Sequence, residues 1–507
     1  MATVGFMLTG APEELLIEIE KSFLERNSPK NLSLMWASGV GDAKDRGINH
    51  IAHDGLLKRV IGGHYGLIPK LGELVHQNKM EAYNFPQGVL TSMFREMAAD
   101  RPGVLTKVGL GTFADPDYEG GKVNAVTKED LVQKLKIDGE DYLLYKSQKV
   151  DVALLRGTEA DELGNIGFSQ EALKLENLSA AMAVKRNGGL VIVQVLKKVK
   201  AGDLDPRHIS IPFTLVDVVC VVSDEKNHMQ TAGTQFNKDF ITYTPVSNGQ
   251  GKISQTAEQE IDLKTIIARR AAMEVEKTDS ILNYGIGIPE QVAQTLVIEE
   301  VEKYFVGTVE PGVIGGTAQG SLNFGSALNP FAIIEHPYQF DFYDGGGIDV
   351  TFLGMAQCDK DGSLNVSKFP PRIPGCGGFI DISQNSKKII FCGSFTAGKL
   401  EISVSDEGKV SIDTEGTFKK FINKLDQITF NGNYEGKKNK RILIITERAV
   451  FKVAPEGLVL IEIAPGMDLD RDILGNMEFK PIISPDLREM DSVIFKRGKL
   501  GLADRLK

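Results

Sequence analysis

The sequence predicts an α/β protein built from two homologous open α/β domains with the active site between them. Three observations predict it: an internal repeat, apolar runs too continuous for half-exposed strands, and a surplus of glycine gathered in short turns. The repeat comes first. VDVALLRGTEADELGNIGFS (150–169) lies on IDVTFLGMAQCDKDGSLNVS (348–367) without a gap. Asp151, Val152, Leu155, Asp161, Gly164 and Ser169 meet Asp349, Val350, Leu353, Asp359, Gly362 and Ser367, an offset of 198. The same offset lays LVIVQV (190–195) on KIIFCG (388–393). GAPEEL (10–15) echoes GIPEQV (287–292) at an offset of 277, which gives the first copy an insertion of about 79 residues between residues 16 and 150. Two copies do not make a solenoid. They make a duplicated domain, expected here as residues 1–245 and 261–507, joined by the polar, turn-rich linker 246–260.

Within each half, β-rich runs alternate with helical patterns. ELLIEIEKSFLERN (14–27) spaces its apolar residues as a helix does, and EQVAQTLVIEEVEKYF (290–305) reads as a helix running into a strand. LVIVQVL (190–196) and VDVVCVV (216–222) are apolar without alternation, so both are expected as buried strands, covered on two faces as in parallel sheets. In open sheets of this kind, ligands bind at the carboxyl ends of the strands.

Composition narrows the function. The 507 residues carry 58 basic and 68 acidic side chains, a net charge of −10, which argues against a nucleic-acid partner. A chain 42% hydrophobic and 25% charged is an ordinary soluble globular chain, which excludes disordered, collagen-like and membrane-spanning classes. The longest apolar runs fall far short of the ~18 residues a membrane helix needs, and MATVGFMLTGAPEE has no signal-peptide pattern. Cys220, Cys358, Cys376 and Cys392 are widely spaced, as expected of reduced thiols in the cytoplasm and not of a disulfide framework or zinc site. A cytoplasmic protein that engages neither membrane nor nucleic acid is the expectation. Glycine is the outlier at 53 residues, near 10% against a usual value of about 7%.

The ordinary catalytic motifs are defective. His50 and His53 form H-x-x-H without the glutamate of a zincin, and His64, His76, His208, His228 and His336 are scattered, so no metal site is expected. No G-x-S-x-G elbow occurs. GIGIPE (285–290) opens a helix after the short apolar run ILNY, but Glu290 replaces the third glycine and puts its charge at the phosphate end of that helix. GSFTAGKL (393–400) matches G-x-x-x-x-G-K, yet Leu400 stands where a hydroxyl would hold Mg²⁺. Either loop can still offer backbone N–H groups to a phosphate or an oxyanion, or its glycines simply permit a tight turn.

FVGTVEPGVIGGTAQG (305–320) is different. An apolar strand ends in a carboxylate, Glu310, with Pro311 restricting its backbone and Gly312, Gly315 and Gly316 thinning the bulk around it. A carboxylate so placed suits a general base or a covalent nucleophile, and spacing alone does not choose.

These segments resemble a family, the class I coenzyme A-transferases, in the propionate/acetate branch that fuses both halves in one chain. The first half carries GFMLTGAPEEL (5–15), KRVIGGHYGLIPKLG (58–72), EAYNFPQGV (81–89) and VGLGTFADP (108–116). The second carries YGIGIPEQVA (284–293), TVEPGVIGG (308–316), QFDFYDGGGIDVTFLGMAQ (339–357), GCGGFIDI (375–382), FCGSFTAG (391–398) and ITERAVF (445–451). The resemblance implies a NagB/RpiA-like fold in each half and a ping-pong exchange of coenzyme A between a short-chain acyl-CoA and a free carboxylic acid. Acetate, propionate, butyrate and lactate are the expected acids. It also implies CoA as a co-substrate with no permanently bound cofactor, and a homodimer or homotetramer.

The resemblance assigns roles residue by residue. Glu310 falls on the catalytic glutamate, which attacks the thioester and becomes a γ-glutamyl-CoA thioester. Gln87 matches the glutamine that orients it, against the plainer alternative of a turn residue bonding its own backbone. Gly398 is the expected oxyanion donor through its N–H. Gly285, Ile286 and Gly287 match the loop that meets CoA, and Gly375 and Gly377 match it more loosely. Gly5, Phe6, Gly10, Ala11 and Pro12 are expected to border the acyl pocket, or else to form a tight turn onto the first helix. VEPG replaces the serine–glutamate–asparagine–glycine of the succinyl-CoA:3-ketoacid branch, which disfavours that substrate class. Lys399 stands where this branch has a second glycine, to assist a CoA phosphate or simply to lie exposed.

Overall fold

A computed structural model describes residues 1–244, 260–438 and 440–507. The expected linker 246–260 therefore lies almost wholly outside the described residues. The chain forms two compact units: one of residues 1–243, 309–345 and 367–381, the other of residues 244–308, 346–366 and 382–507.

The first unit is built on seven parallel strands: β1 (Ala2–Thr3), β2 (Leu32–Trp36), β3 (Leu57–Gly62), β4 (Glu81–Asn84), β5 (Val152–Arg156), β6 (Leu190–Val195) and β7 (Val218–Val221). They lie in the order β7-β6-β5-β1-β2-β3-β4. Helix α1 (Glu13–Arg26) starts with two carboxylates in its first turn and ends with Arg26, as the helix dipole favours, before Asn27 closes it in the left-handed conformation. Leu16 of α1 packs with Leu34, Trp36, Val60, Leu71 and Val75 in one buried cluster. Helix α2 (Pro69–His76) follows β3, and α3 (Gln87–Ala98) follows β4 across the short link Phe85–Pro86. Between α3 and β5 the chain adds an antiparallel three-stranded sheet of Gly103–Thr106, Val132–Ile137 and Glu140–Lys146. Helices α4 (Asn177–Arg186) and α7 (His336–Asp344) also belong to this unit.

The second unit carries helices α5 (Leu263–Ala272) and α6 (Ile288–Ile298). Its sheet includes β8 (Ile281–Tyr284), β9 (Val306–Val309), β10 (Val350–Gly354), β11 (Lys388–Cys392), β12 (Arg441–Ile445), β13 (Ala449–Ala454), β14 (Gly457–Ile463) and β15 (Ile482–Glu489). These run in the order β9-β8-β10-β11-β12-β13-β14-β15. The pairs from β9 to β12 are parallel, and β12, β13 and β14 continue as antiparallel neighbours. Ile266, Leu282, Val292, Phe352, Ile390 and Leu443 are among the residues of its buried core.

The repeat is visible at the level of register. Leu190 lies opposite Val152 in the first unit and Lys388 opposite Val350 in the second, the same sequence spacing in both copies. The turn that follows is also the same. Asp161 accepts from the amides of Leu163 and Asn165, and Asp359 from those of Asp361 and Ser363, at 2.9–3.0 Å. Gly164 and Gly362 then take φ of +99° and +74°, values that favour glycine. One sequence expectation needs correction. VDVVCVV does form a strand, but β7 is the edge of its sheet, and Val218 and Val221 are 39% and 43% exposed. An uninterrupted apolar run does not distinguish a covered central strand from an edge strand.

Candidate active site

Glu310 follows directly on β9 and belongs to the first unit, with Gln87. Pro86 sets the backbone angle that launches α3, so Gln87 occupies the first helical turn, where its amide has no partner inside the helix. That amide donates instead to the carbonyl of Gly377, at 2.9 Å. The Gln87 side chain is buried, and its Nε2 donates to Glu310 Oε2 at 3.1 Å. The same Nε2 lies 3.0 Å from Nε2 of His336, and His336 Nδ1 lies 2.8 Å from Glu176 Oε2. His336 and Glu176 are fully buried. Desolvation pushes the Glu310 carboxyl above the ordinary carboxylate range, and the hydrogen bond from the Gln87 amide draws it partly back.

Glycine makes room for this carboxylate. A Cβ on Gly378 would stand 3.0 Å from Glu310 Cδ, 3.1 Å from its Oε2 and 3.0 Å from the ring of Phe340. Gly375 and Gly377 lie in the same turn, with φ of +79° and +52°. A Cβ on Gly375 would come within 2.9 Å of the Gly63 carbonyl, and one on Gly377 within 3.6 Å of Gln87 Oε1. The GCGG turn thus packs on Glu310 and Gln87. Asn84, at the end of β4, ties it down by donating to the Gly62 and Gly63 carbonyls and accepting from the Cys376 amide. His64 lies beside the turn; burial pushes its imidazole down to about 4, so the ring is neutral at pH 7.

The loop from Gly5 to Pro12 reaches the same place through Phe6. The Phe6 ring is buried, 5.7 Å from that of Phe324 and edge-on to His336 at 6.5 Å. Gly10 packs on Leu175, whose carbonyl accepts from the His336 amide. Gly5 packs on Val40, Ala11 is buried, and Pro12 caps α1, so these three support the loop, while Phe6 joins Phe340 in ring contact with His336. Pro311, Phe324 and Gly325 add apolar surface beside Phe6.

The remaining expected residues belong to the second unit. Gly285 donates to the Phe352 carbonyl at 2.8 Å, Ile286 is 63% exposed, and Gly287 takes φ +89° at the start of α6. Glu290 turns back to accept from the Gly287 amide at 2.9 Å and caps its own helix. Gly398 and Lys399 are exposed at the end of the short strand Thr396–Ala397, both with positive φ. Sequence reasoning missed His336, Glu176, Asn84 and Gly378. Gly378 was within reach, as the last glycine of the quoted GCGG turn. No spacing rule connects Glu176 or His336 to Glu310. His50 and His53 lie against Glu13 and Glu20 at 2.7–3.0 Å, as hydrogen-bonded partners of α1. Among the described residues no His, Cys, Asp and Glu cluster is disposed to hold a metal, and no helix is long and apolar enough to cross a membrane.

Comparison with known proteins shows the family. Residues 1–221 match the family model described as coenzyme A transferase. The chain is 44% identical to caffeate CoA-transferase of Acetobacterium woodii, over 99% of this chain and 95% of that one. It is 43% identical to acetate CoA-transferase YdiF of Escherichia coli strain K12, over 96% and 90%. Among solved structures, the thioester complex with CoA of the acyl-CoA transferase YdiF from Escherichia coli O157:H7 superposes with a TM-score of 0.90 at 41% identity, covering 99% of this chain and 93% of that one. The chain therefore belongs to the coenzyme A-transferase family, as a class I enzyme with both halves fused in one polypeptide.

Proposed function

We propose that the enzyme moves coenzyme A between a short-chain acyl-CoA and a free acid of the acetate, propionate, butyrate or lactate type, with Glu310 as covalent nucleophile. One observation carries the reading: Glu310 is a desolvated carboxylate held at one oxygen by the Gln87 amide and packed on a glycine, Gly378, where a Cβ would stand 3.0 Å from its Cδ. The free oxygen attacks the acyl-CoA carbonyl, the C–S bond breaks, and a mixed anhydride and CoA thiolate result. The thiolate then attacks the glutamyl carbonyl, the anhydride C–O bond breaks, and the first acid leaves as its carboxylate. A second carboxylate reverses both steps. A carboxylate is a weak nucleophile, but confinement against the thioester supplies effective molarities of order 10⁵–10⁸ M. The thioester complex captured for the similar Escherichia coli enzyme supports a covalent route. Gly285, Ile286, Gly287 and Lys399 are assigned to CoA, and Gly398 to the oxyanion, on their motifs alone. The organisation into halves 1–245 and 261–507, a cytoplasmic location and a homodimeric or homotetrameric state belong to the same reading.

The test is intact mass after incubation with acetyl-CoA. An adduct of CoA less water, lost on borohydride reduction and absent from Glu310→Ala, is the expected result. Release of CoA without an acceptor acid and without an adduct would instead make the protein a hydrolase.

A further inference from the structure

We infer that Glu176 and His336 are positioning residues, which hold the Gln87 amide with its donor side toward Glu310. The inference rests on Glu310 as the nucleophile. Its basis is a chain of four side chains, Glu176–His336–Gln87–Glu310, linked at 2.8, 3.0 and 3.1 Å, of which the first three are buried.

The direction of each link follows from what each atom can do. A carboxylate only accepts, so His336 Nδ1 carries the proton that points to Glu176. Glu176 stands at the N-cap of α4, where the helix dipole favours its negative charge. Its Oε1 is buried without a hydrogen-bond partner among the described residues, which leaves the imidazole as the group that compensates the carboxylate. With the proton on Nδ1, His336 presents a lone pair at Nε2. That lone pair accepts only a donor, and the one amide atom within reach is Gln87 Nε2. The second hydrogen of the same nitrogen is thereby aimed at Glu310 Oε2.

The reverse arrangement fails. If His336 Nε2 carried a proton, Gln87 would have to present its Oε1 there. The same oxygen would then face Glu310 Oε2, acceptor against acceptor. Backbone shape alone does not choose between the two orientations of a glutamine amide; the relay does. During the reaction the fixed N–H serves twice. It holds one oxygen of the attacking carboxylate, and it then donates to the carbonyl oxygen of the glutamyl thioester as charge develops there.

The experiment compares His336→Leu, which removes the acceptor, with His336→Gln, whose Oε1 can stand near the lost Nε2 and accept. Steady-state exchange, thermal melts and adduct formation by intact mass are measured for both and for the wild type. Loss of a catalytic hydrogen-bond donor costs about 10²–10³ in kcat and a misplaced one about 10², so His336→Leu is expected to lose about 10²-fold in kcat. KM for acyl-CoA should stay nearly unchanged, and the adduct should still form, only slowly. His336→Gln should recover most of the rate at a similar melting temperature. Wild-type turnover in His336→Leu overturns the relay, as do equal losses of rate and melting temperature in both variants. No adduct in the wild type overturns the nucleophile, and the relay with it, a result that neither variant can imitate.

Discussion

Gly378→Ala is the perturbation whose size can be worked most directly. Gly378 is not in the left-handed region, so an alanine there meets no backbone strain. What it meets is Glu310: the new methyl would stand 3.0 Å from Cδ and 3.1 Å from Oε2, with Phe340 at 3.0 Å on its other side. Carbon atoms rest at about 3.5–4.0 Å, so the carboxylate or the ring must retreat by roughly 0.5 Å or more. A 1 Å misplacement of a reacting group costs about 10²-fold; half of that is worth roughly 10-fold in kcat. Overpacking adds about 1–3 kcal/mol of destabilisation. The assay is exchange between acetyl-CoA and propionate, with product acyl-CoAs separated chromatographically, alongside thermal melts. The expected result is kcat down about 10-fold with KM for acyl-CoA little changed. A companion Phe340→Leu, which opens the other side of the methyl, should restore part of the rate. Wild-type kcat in Gly378→Ala would refute the reasoning, as would a rise in KM at constant kcat, since that would make the turn a binding element only.

Three further outcomes are expected. Gln87→Ala removes a hydrogen bond that favours the ionised form of Glu310, so the carboxyl rises further; the nucleophile is then lost at higher pH as pH falls, and the acid limb of the kcat profile should move up, with kcat down about 10²-fold. A limb that stays in place or moves down contradicts this. Gly325→Ala forces a side chain into φ +102° with the Phe6 ring 2.7 Å away, and should destabilise by about 1–3 kcal/mol in denaturant titrations; an unchanged midpoint contradicts the packing described. In the second unit, Arg270 donates to Glu462 and to Glu274 at 2.7 Å, and all three are buried. Burial alone would raise the Glu462 carboxyl, but Arg270 and Arg488 outweigh it and hold it below the ordinary range. Glu462→Ala should therefore cost about 1.5–3 kcal/mol at neutral pH, since Arg270 keeps Glu274 as a partner. That difference should shrink as pH falls below the unfolded value of about 4.3 and through the lowered folded value. A cost that persists at low pH would assign it to packing instead.

Much of this was legible in the residues. Helix α1, strands β6 and β11 and the paired Asp-x-x-Gly turns follow from short-range pattern, because periodicity and turn chemistry act within a few residues. Glu310 and Gln87 stand out by motif, and 223 positions of chain separate them. The other half of the relay was not legible. Glu176 sits in LKLENLS and His336 in IEHPYQF, and neither string has a feature that marks it. Their meeting is set by the packing of α7 and α4 around the start of α3, which no local rule encodes. VDVVCVV failed for the same reason. Its composition fixes a strand, but exposure depends on what covers the sheet edge.

The helix cap at Gly287 has a consequence for selectivity. The start of a helix attracts phosphate because its amides are unpaired and its dipole is positive there. On α6 a resident carboxylate, Glu290, already stands at that end and accepts from the Gly287 amide. A phosphate arriving at this turn has to break that bond and stand beside a like charge, whereas an uncharged, flexible segment incurs neither cost. The turn that looks most like a nucleotide motif is thus already occupied by the chain's own carboxylate, and a phosphate gains less there than at an uncapped helix start.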